Sequence, residues 1–472
     1  MLLKFNHNHF FKLLSIFIVI QPILDILTFL SLRHTNFSIT IGIVIRVLFL
    51  SISIGFIIFG HKTQLKKYII IYLTVLFSVM GISNGLNYFF KPNFLIFEEL
   101  QFTTKALYYS VMFCSILLAI QSKSNSEYIM KHMIKLITIS MSIFATTFLI
   151  SILTNTSTPT YKFGKEGFSG WFFAGNEISA IVAICFPLVF IYFLKNTLSL
   201  KNIKHWLPAL LLAITGIFIG TKVSFLAIIV TITLITSFNL CLWALKISKT
   251  GIKNVYSKHL RLSGIFVIIL IFLIPFSPGF NNIQGDYTNI SETIDENDND
   301  SKKEDGKKQT PRQDESNTKK GSTSIISESG LVRTLLSSRN VYFESILLDY
   351  SASNTLQKFF GIGYAGYYED EEDSKMIEMD FFDLFFSFGI IGSVLILLPL
   401  FITFYNVFKE IFYNTKTFLT IENLLLLLST GLGMGISFVA GHVLFAPAVS
   451  IYLTISLVLL LNNTSFSIKN KN

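Results

Sequence analysis

Residues 378–408 read EMDFFDLFFSFGIIGSVLILLPLFITFYNVF, in which three carboxylates stand before a long apolar run. A helix needs roughly 20 apolar residues to cross a bilayer, and the run after Asp383 is long enough. In lipid only helices and closed barrels satisfy the backbone, and barrel strands would alternate polar with apolar residues. The continuous run therefore predicts a membrane-spanning helix with acidic groups at its mouth.

Similar runs recur along most of the chain, which has 472 residues, of which 51% are hydrophobic and 14% are charged. The mean hydropathy is +0.59, which is high for a soluble protein of this size. Windowed hydropathy predicts an all-α polytopic membrane protein of about twelve spans. The predicted spans are 10–31, 38–60, 67–89, 98–120, 131–154, 172–194, 205–220, 222–245, 262–279, 380–405, 421–440 and 443–461.

The Lys-rich loops, such as 61–67 and 246–261, alternate with Lys-poor ones. Because short basic loops stay in the cytoplasm, this pattern predicts that both termini are cytoplasmic. The large hydrophilic segment before residue 379 then lies outside the plasma membrane. The net charge of +9 does not indicate a nucleic-acid partner, because most basic residues sit in these short loops.

Four regions follow from this pattern. Residues 1–279 hold spans one to nine, and residues 379–472 hold spans ten to twelve. Between them, 280–325 has almost no large apolar residues and is predicted to be a disordered extracellular insert. Residues 326–378 are predicted to be a folded helical part of the loop. Its helical apolar spacing is carried by Leu335, Val341, Phe343, Ile346 and Leu347.

Ionisable groups inside spans mark function by default, because each is costly there unless it is paired or hydrated. Asp25 and Arg46 share a depth in the first two spans, which predicts an ion pair. That pair either fixes helix packing or leaves Arg46 facing a substrate anion.

Two lysines at a similar depth leave the same choice open. Lys105 either pairs with Glu98 or Glu99 or faces a ligand, and Lys222 either reaches the headgroups or faces a ligand. Guanidinium groups match diphosphate oxygens well. The five cations that could line one outer cavity are Arg46, Lys105, Lys222, Arg333 and Arg339.

At the start of the sixth span, Asn176 either caps the helix or contacts a saccharide. Trp171 and Phe172 before it suit either a sugar-binding lip or an interfacial aromatic belt. The stretches that follow the same order along the chain are GWFFAGNE (170–177), GTKVSFL (220–226), SSRNVYF (337–343), GIGYAG (361–366) and FGIIG (388–392).

Together with the span pattern, these stretches resemble the O-antigen ligase and O-antigen polymerase family over most of the chain. The resemblance implies a metal-independent glycosyltransferase without a cofactor that acts at the outer face of the membrane. Its donor is a glycan on undecaprenyl diphosphate, and its acceptor is a second lipid-linked glycan in a polymerase or another molecule in a ligase. Other expected partners are the lipid bilayer and further polysaccharide-assembly proteins.

The resemblance also implies that arginines hold the diphosphate while a residue at the loop-to-helix junction activates the acceptor hydroxyl. Counted back from Gly389, ligases carry a His-Asn pair where this chain has Glu378. That departure favours the polymerase-like branch.

Glu378 is the candidate general base, with its pKa expected to be raised by desolvation. Arg339 is the second candidate catalytic residue, because a cation stabilises the leaving diphosphate. Asp380 or Asp383 could bind acceptor hydroxyls or orient an arginine, or all three acids could simply begin a helix. The candidate substrate-binding residues are Lys222, Arg333, Lys105, Arg46, Asp380 and Asn176.

Three rival functions remain open from the sequence. The first is ligation of the polysaccharide to a different cell-envelope acceptor. The second is a flippase or exporter, although the long hydrophilic loop is unusual for that class. The third is a structural or sensor protein, which would have no need for cations near loop carboxylates.

Overall fold

Helices account for almost all regular structure in the described part of the chain, which confirms the all-α prediction. Two short strands, β1 (Thr158–Pro159) and β2 (Phe168–Gly170), form an antiparallel pair. The structure is a computed structural model, and it describes residues 7–34, 40–121, 125–162, 164–197, 201–244, 250–286, 288, 339–368 and 375–464.

The helices fall on both sides of the large loop. Those before it are α1 (His7–His34), α2 (Ile41–Phe59), α3 (Gln64–Phe90), α4 (Ile96–Gln121), α5 (Ser126–Leu153), α6 (Gly175–Asn196), α7 (Ile203–Phe218), α8 (Lys222–Ala244) and α9 (Thr250–Leu273), with a 3₁₀ turn at Ile274–Phe276. Those that follow are α10 (Arg339–Ala352), α11 (Thr355–Phe360), α12 (Asp380–Phe418), α13 (Ile421–Val439) and α14 (Pro447–Asn462).

Ten helices in the described residues are long and apolar enough to cross a membrane. Two shorter apolar helices, α7 and α14, occupy the remaining predicted spans, so the count of twelve stays a prediction. The orientation of the termini and of the large loop also stays a prediction.

Helices α4, α6 and α14 form the centre of the bundle, because the apolar stretch that follows the first turns of each is almost wholly buried. Short polar side chains join them to their neighbours. Ser429 Oγ donates to the Ile184 carbonyl at 2.7 Å, and Ser140 and Tyr452 share a hydrogen bond of 2.9 Å. Such bonds are typical of packed membrane helices.

Helix α12 is broken at Gly389, whose φ of 64° and ψ of −170° lie outside the helical region. The loop residue Gly361, with φ 93°, lies against this break. A side chain on either glycine would overlap backbone of the other segment, at Ser387 for Gly361 and at Phe359 for Gly389. The two glycines therefore permit a close backbone crossing that no other residue would fit.

The break frees carbonyl groups that would otherwise accept helical hydrogen bonds, and the loop satisfies them. Ile362 N donates to the Phe386 carbonyl at 2.9 Å, and Gly363 N donates to the Ser387 carbonyl at 3.1 Å. Ser393 Oγ donates to the carbonyl of Gly389 at 2.6 Å. Irregular backbone at membrane depth is tolerated where protein groups satisfy it in this way.

The loop helices α10 and α11 lie in the range predicted to fold. In α10, Ile346 is buried and Phe343 and Leu347 pack beside it, whereas Val341 is exposed; Leu335 lies outside the described residues. The apolar cluster that joins the loop to the start of α12 consists of Ile346, Ile362, Ile377, Met379 and Phe386.

The range predicted to be a disordered insert begins with helical residues, because 278–286 are helical. Residue 288 is helical as well, and 289–325 lie outside the described residues.

A buried ion pair fixes the glycine-rich loop to the bundle. Lys91 Nζ lies 2.8 Å from Glu99 Oε1, and both side chains are almost completely buried. Lys91 also donates to the Tyr364 carbonyl at 2.5 Å, and Glu99 accepts from Tyr364 N at 2.9 Å. The alternative in which Lys105 pairs with Glu99 is therefore wrong.

Candidate functional site

Three side chains from different parts of the chain meet where the large loop enters α12. Glu378 Oε2 lies 3.3 Å from Arg339 Nη2 and 3.5 Å from His442 Nε2. Arg339 begins α10, Glu378 precedes α12, and His442 lies in the turn between α13 and α14. The Glu378 side chain is 52% exposed, so its carboxylate remains accessible to a ligand while it contacts two basic groups.

The sequence predicted Arg339 and Glu378 as site residues, and the fold brings them together. It gave no role to His442, which stands alone near the end of a predicted span. Nothing in its neighbourhood has a motif spacing, so only the packing of α13 beside α12 reveals it.

The contact with His442 lowers the pKa of Glu378 more than burial raises it, and the charge of Arg339 lowers it further. The expectation of a raised pKa is therefore wrong. Burial lowers the pKa of His442, but the contact with Glu378 and the charges of Glu177 and Asp380 raise it above its ordinary value. Glu378 is consequently ionised at neutral pH, between two groups that carry or can carry positive charge.

Glu378 and His442 both adopt left-handed backbone, each with φ 61°. Such a conformation costs about 1–3 kcal/mol for a residue with a side chain and persists only where its surroundings enforce it. Gly441, with φ 63°, lies between the two turns, since a side chain there would meet the Glu378 carbonyl oxygen at 2.5 Å. The two strained turns thus touch each other.

Asp380 is buried, and its carboxylate accepts hydrogen bonds from the protein itself. Oδ1 accepts from His442 N at 3.0 Å, and Oδ2 accepts from Val443 N at 2.9 Å, Leu444 N at 2.8 Å and Ser437 Oγ at 2.9 Å. Its predicted role in binding substrate is untested, but its oxygens face the turn that carries His442.

Asp383 is also buried and accepts from two backbone amides. Oδ1 accepts from Ile377 N and Oδ2 from Met379 N, both at 3.0 Å. These amides flank Glu378 on either side. Asp380 and Asp383 both lie in the first turn of α12, as the helix-start alternative requires.

A cavity of about 670 Å³ begins beside the turn that carries His442, since Phe445 and the three residues after it line its wall. Most of the lining is apolar. Leu48, Phe97 and Leu100 in that lining are 57%, 57% and 55% exposed, so the cavity reaches the bilayer-facing surface of α2 and α4. Its ionisable lining residues include Asp25, Arg46, Lys105 and Glu177.

The predicted ion pair between Asp25 and Arg46 is confirmed, with Nη2 and Oδ1 2.6 Å apart. Arg46 Nε and Nη2 also donate to Gln21 Oε1, each at 3.1 Å. Arg46 is therefore held in one orientation at the cavity wall, where Lys105 also lies.

Of the remaining predicted binding residues, Lys222 and Asn176 are described by the structure, and neither is among the residues that line the cavity. Lys222 Nζ is 2.8 Å from Asp286 Oδ2, and Lys165 Nζ is 2.9 Å from the same oxygen. Asn176 is exposed in the first turn of α6, whose N-cap is Ala174, so the capping alternative is wrong. Arg333 lies outside the described residues.

A bundle of apolar helices with a cluster of charged side chains at the end of a broken span defines a polytopic membrane protein. The chain belongs to the family of O-antigen ligase like membrane proteins, whose family model matches residues 7–466. Neither a curated protein nor a solved structure matches it significantly. Membership of this family makes the protein a membrane enzyme of polysaccharide assembly.

Proposed function

We propose that the protein is a glycosyltransferase that polymerises undecaprenyl-diphosphate-linked oligosaccharide units of a surface polysaccharide at the outer face of the plasma membrane. The observation that carries the proposal is the meeting of Arg339, Glu378 and His442 beside a cavity that reaches the bilayer-facing surface. Family membership supports the class of reaction.

The cavity offers what a lipid-linked diphosphate requires. Its apolar lining suits an isoprenoid chain that enters from the bilayer, and Lys105 and Arg46 offer positive charge for the diphosphate. Asp25 offsets part of the charge of Arg46, so Lys105 is the cation that gains most from an anionic ligand.

In the proposed step, Glu378 removes the proton from the acceptor hydroxyl as the acceptor oxygen bonds to the anomeric carbon of the donor. The bond from that carbon to the diphosphate oxygen breaks, and the diphosphate leaves with the electron pair. Arg339 and protonated His442 stabilise negative charge at the site. The lowered pKa of Glu378 keeps it in the ionised form that can accept a proton.

The polymerase-like branch is favoured over ligation because Glu378 stands where ligases of the family carry histidine. This chain instead supplies a histidine from a different turn, since His442 contacts Glu378 in space. A ligase remains the alternative, and the experiment below separates the two.

The test is chain growth in cells that carry Glu378→Gln or Arg339→Ala at matched membrane abundance. The expected result is loss of long chains with accumulation of the lipid-linked single unit. Glu422→Gln is the control, because it removes a solvent-accessible ion pair with Lys195 elsewhere. Full-length chains that stay on lipid without reaching an acceptor would indicate a ligase, and normal chains in both variants would overturn the proposal.

A further inference from the structure

We propose that Asp380 and Asp383 are positioning residues that hold Glu378 and His442 in contact. Asp383 does so by hydrogen bonds to the turn that carries Glu378, and Asp380 by hydrogen bonds to the turn that carries His442. This inference rests on the proposed function of the Glu378 site. It assigns different roles to the three acids at the mouth of α12: Glu378 takes part in the chemistry, and the two aspartates set its geometry.

Asp383 holds the turn around Glu378 by hydrogen bonds to its backbone. Its two oxygens accept from the amides of Ile377 and Met379, which are the residues before and after Glu378. The Met379 amide belongs to the peptide group that follows Glu378, and the Ile377 amide belongs to a peptide group earlier in the same turn. A carboxylate that holds both closes the turn around Glu378 and so supports its left-handed φ. The side chain of Glu378 is left free to point toward Arg339 and His442.

Asp380 holds the turn that carries His442 by hydrogen bonds to its backbone. It accepts from three successive amides, those of His442, Val443 and Leu444, and from Ser437 Oγ in the last turns of α13. Those bonds hold the left-handed φ of His442 in the same way. Because Asp380 and Asp383 belong to one helical turn, both strained turns are fixed relative to the same rigid element.

The burial of the two aspartates supports this role. A buried carboxylate is costly unless it is paired or hydrogen-bonded. Within the described residues neither aspartate forms an ion pair with Lys or Arg. Backbone amides are the main donors that stabilise them, so the two turns and the two carboxylates depend on each other.

The first test is a double-mutant cycle in membrane vesicles that elongate their own lipid-linked units. In Asp380→Asn and Asp383→Asn an amide group replaces an acceptor oxygen and faces a backbone N–H. A change in the relative position of Glu378 and His442 should lower the elongation rate on the order of 100-fold. In a His442→Gln background, Asp380→Asn should cause little further loss, because it acts through His442.

The second test needs no substrate and follows thermal unfolding of the purified protein as a function of pH. The charges of Glu378, Glu177 and Asp380 raise the pKa of His442, and Arg339 contacts the same oxygen of Glu378 as His442 does. Asp383→Asn is the decisive variant and is compared in wild-type and His442→Gln backgrounds, so that the loss of the Asp383 carboxyl itself cancels. It loses only one hydrogen bond to a backbone amide. If Asp383→Asn frees the turn that carries Glu378, the contribution of His442 protonation to the free energy of unfolding should decrease. Glu422→Gln is the control, since Glu422 pairs with Lys195 at the opposite end of α13 from the turn that carries His442.

Additive rate losses in the cycle would overturn the positioning role. So would a His442-dependent part of the pH dependence that is the same with and without Asp383→Asn. Failure of the proposed function gives a different pattern, in which Glu378→Gln itself elongates normally. Loss of elongation in Glu378→Gln with a normal rate in both aspartate variants would defeat this inference alone.

Discussion

The carboxylate of Glu378 lies 3.5 Å from Nε2 of His442, and both residues adopt left-handed backbone. Two strained residues that touch each other at the end of a span are unexpected unless the contact itself is needed. The pair joins the large loop side of α12 to the turn between α13 and α14. It therefore couples two regions that no local pattern connects.

His442→Gln should lower polysaccharide chain growth by about 100-fold, because glutamine cannot carry the positive charge that stabilises the site beside Glu378. The measurement is the length distribution of the polysaccharide at matched membrane abundance. His205→Gln is the control, since His205 contacts Tyr192 in another part of the chain. Normal chain lengths in His442→Gln would exclude the histidine from the chemistry.

The Glu378–His442 pair should stabilise the protein mainly between pH 4.5 and pH 6.5. These limits are the ordinary pKa values of the Glu378 carboxyl and the His442 imidazole. The pKa of His442 is raised by folding, so its contribution is complete below 6.5 and is lost as the pH rises through the raised value. The pKa of Glu378 is lowered, so its contribution is complete above 4.5 and is lost as the pH falls through the lowered value.

Thermal unfolding of purified wild type and His442→Gln across this range checks the prediction. The difference in melting temperature should be largest inside the window and should decrease toward alkaline pH. An equal difference at every pH would show that His442 contributes by packing rather than by charge.

Gly389→Ala should destabilise the protein severely, because the residue has a positive φ and its Cβ would overlap the backbone of Phe359 and Gly361. The expected result is little folded protein in the membrane. Gly431→Ala is the matched control: its Cβ would meet no atom within 4 Å, and alanine in a helix is favoured by roughly 1 kcal/mol over glycine. Equal accumulation of the two variants would contradict the close backbone crossing.

Lys105→Gln should weaken use of the lipid-linked donor without abolishing the chemical step, because the proposed role of Lys105 is to bind the diphosphate. Measured in vesicles at varied donor content, the apparent KM should rise while the maximal rate changes less. Lys195→Gln removes a cation whose ion pair with Glu422 is partly exposed, and it serves as the control. An unchanged KM would remove Lys105 from the donor site.

Hydropathy was sufficient to predict the all-α fold, because the cost of unsatisfied backbone in lipid leaves few alternatives. The Asp25–Arg46 pair was also predictable, since two charges at one depth in neighbouring spans have few other partners. His442 and the amide contacts of Asp380 were not predictable. They depend on left-handed turns at residues other than glycine, which no residue type indicates.

The ion pair of Lys222 could not be predicted from the sequence, for a different reason. The sequence grouped it with the other cations by depth alone. Its carboxylate partner, Asp286, lies in a stretch whose composition predicted an insert without structure.

The backbone crossing at Gly361 and Gly389 has a mechanical consequence. The first two turns of α12 are bonded to the glycine-rich loop, and that loop is fixed to the bundle by Lys91 and Glu99. Pulling the loop away would leave carbonyl groups of the broken span facing hydrocarbon, which is prohibitively costly. The glycine-rich loop, the first turns of α12 and the Lys91–Glu99 pair therefore form one rigid wall of the bundle, and a bulky glycan has to enter past this wall without displacing it.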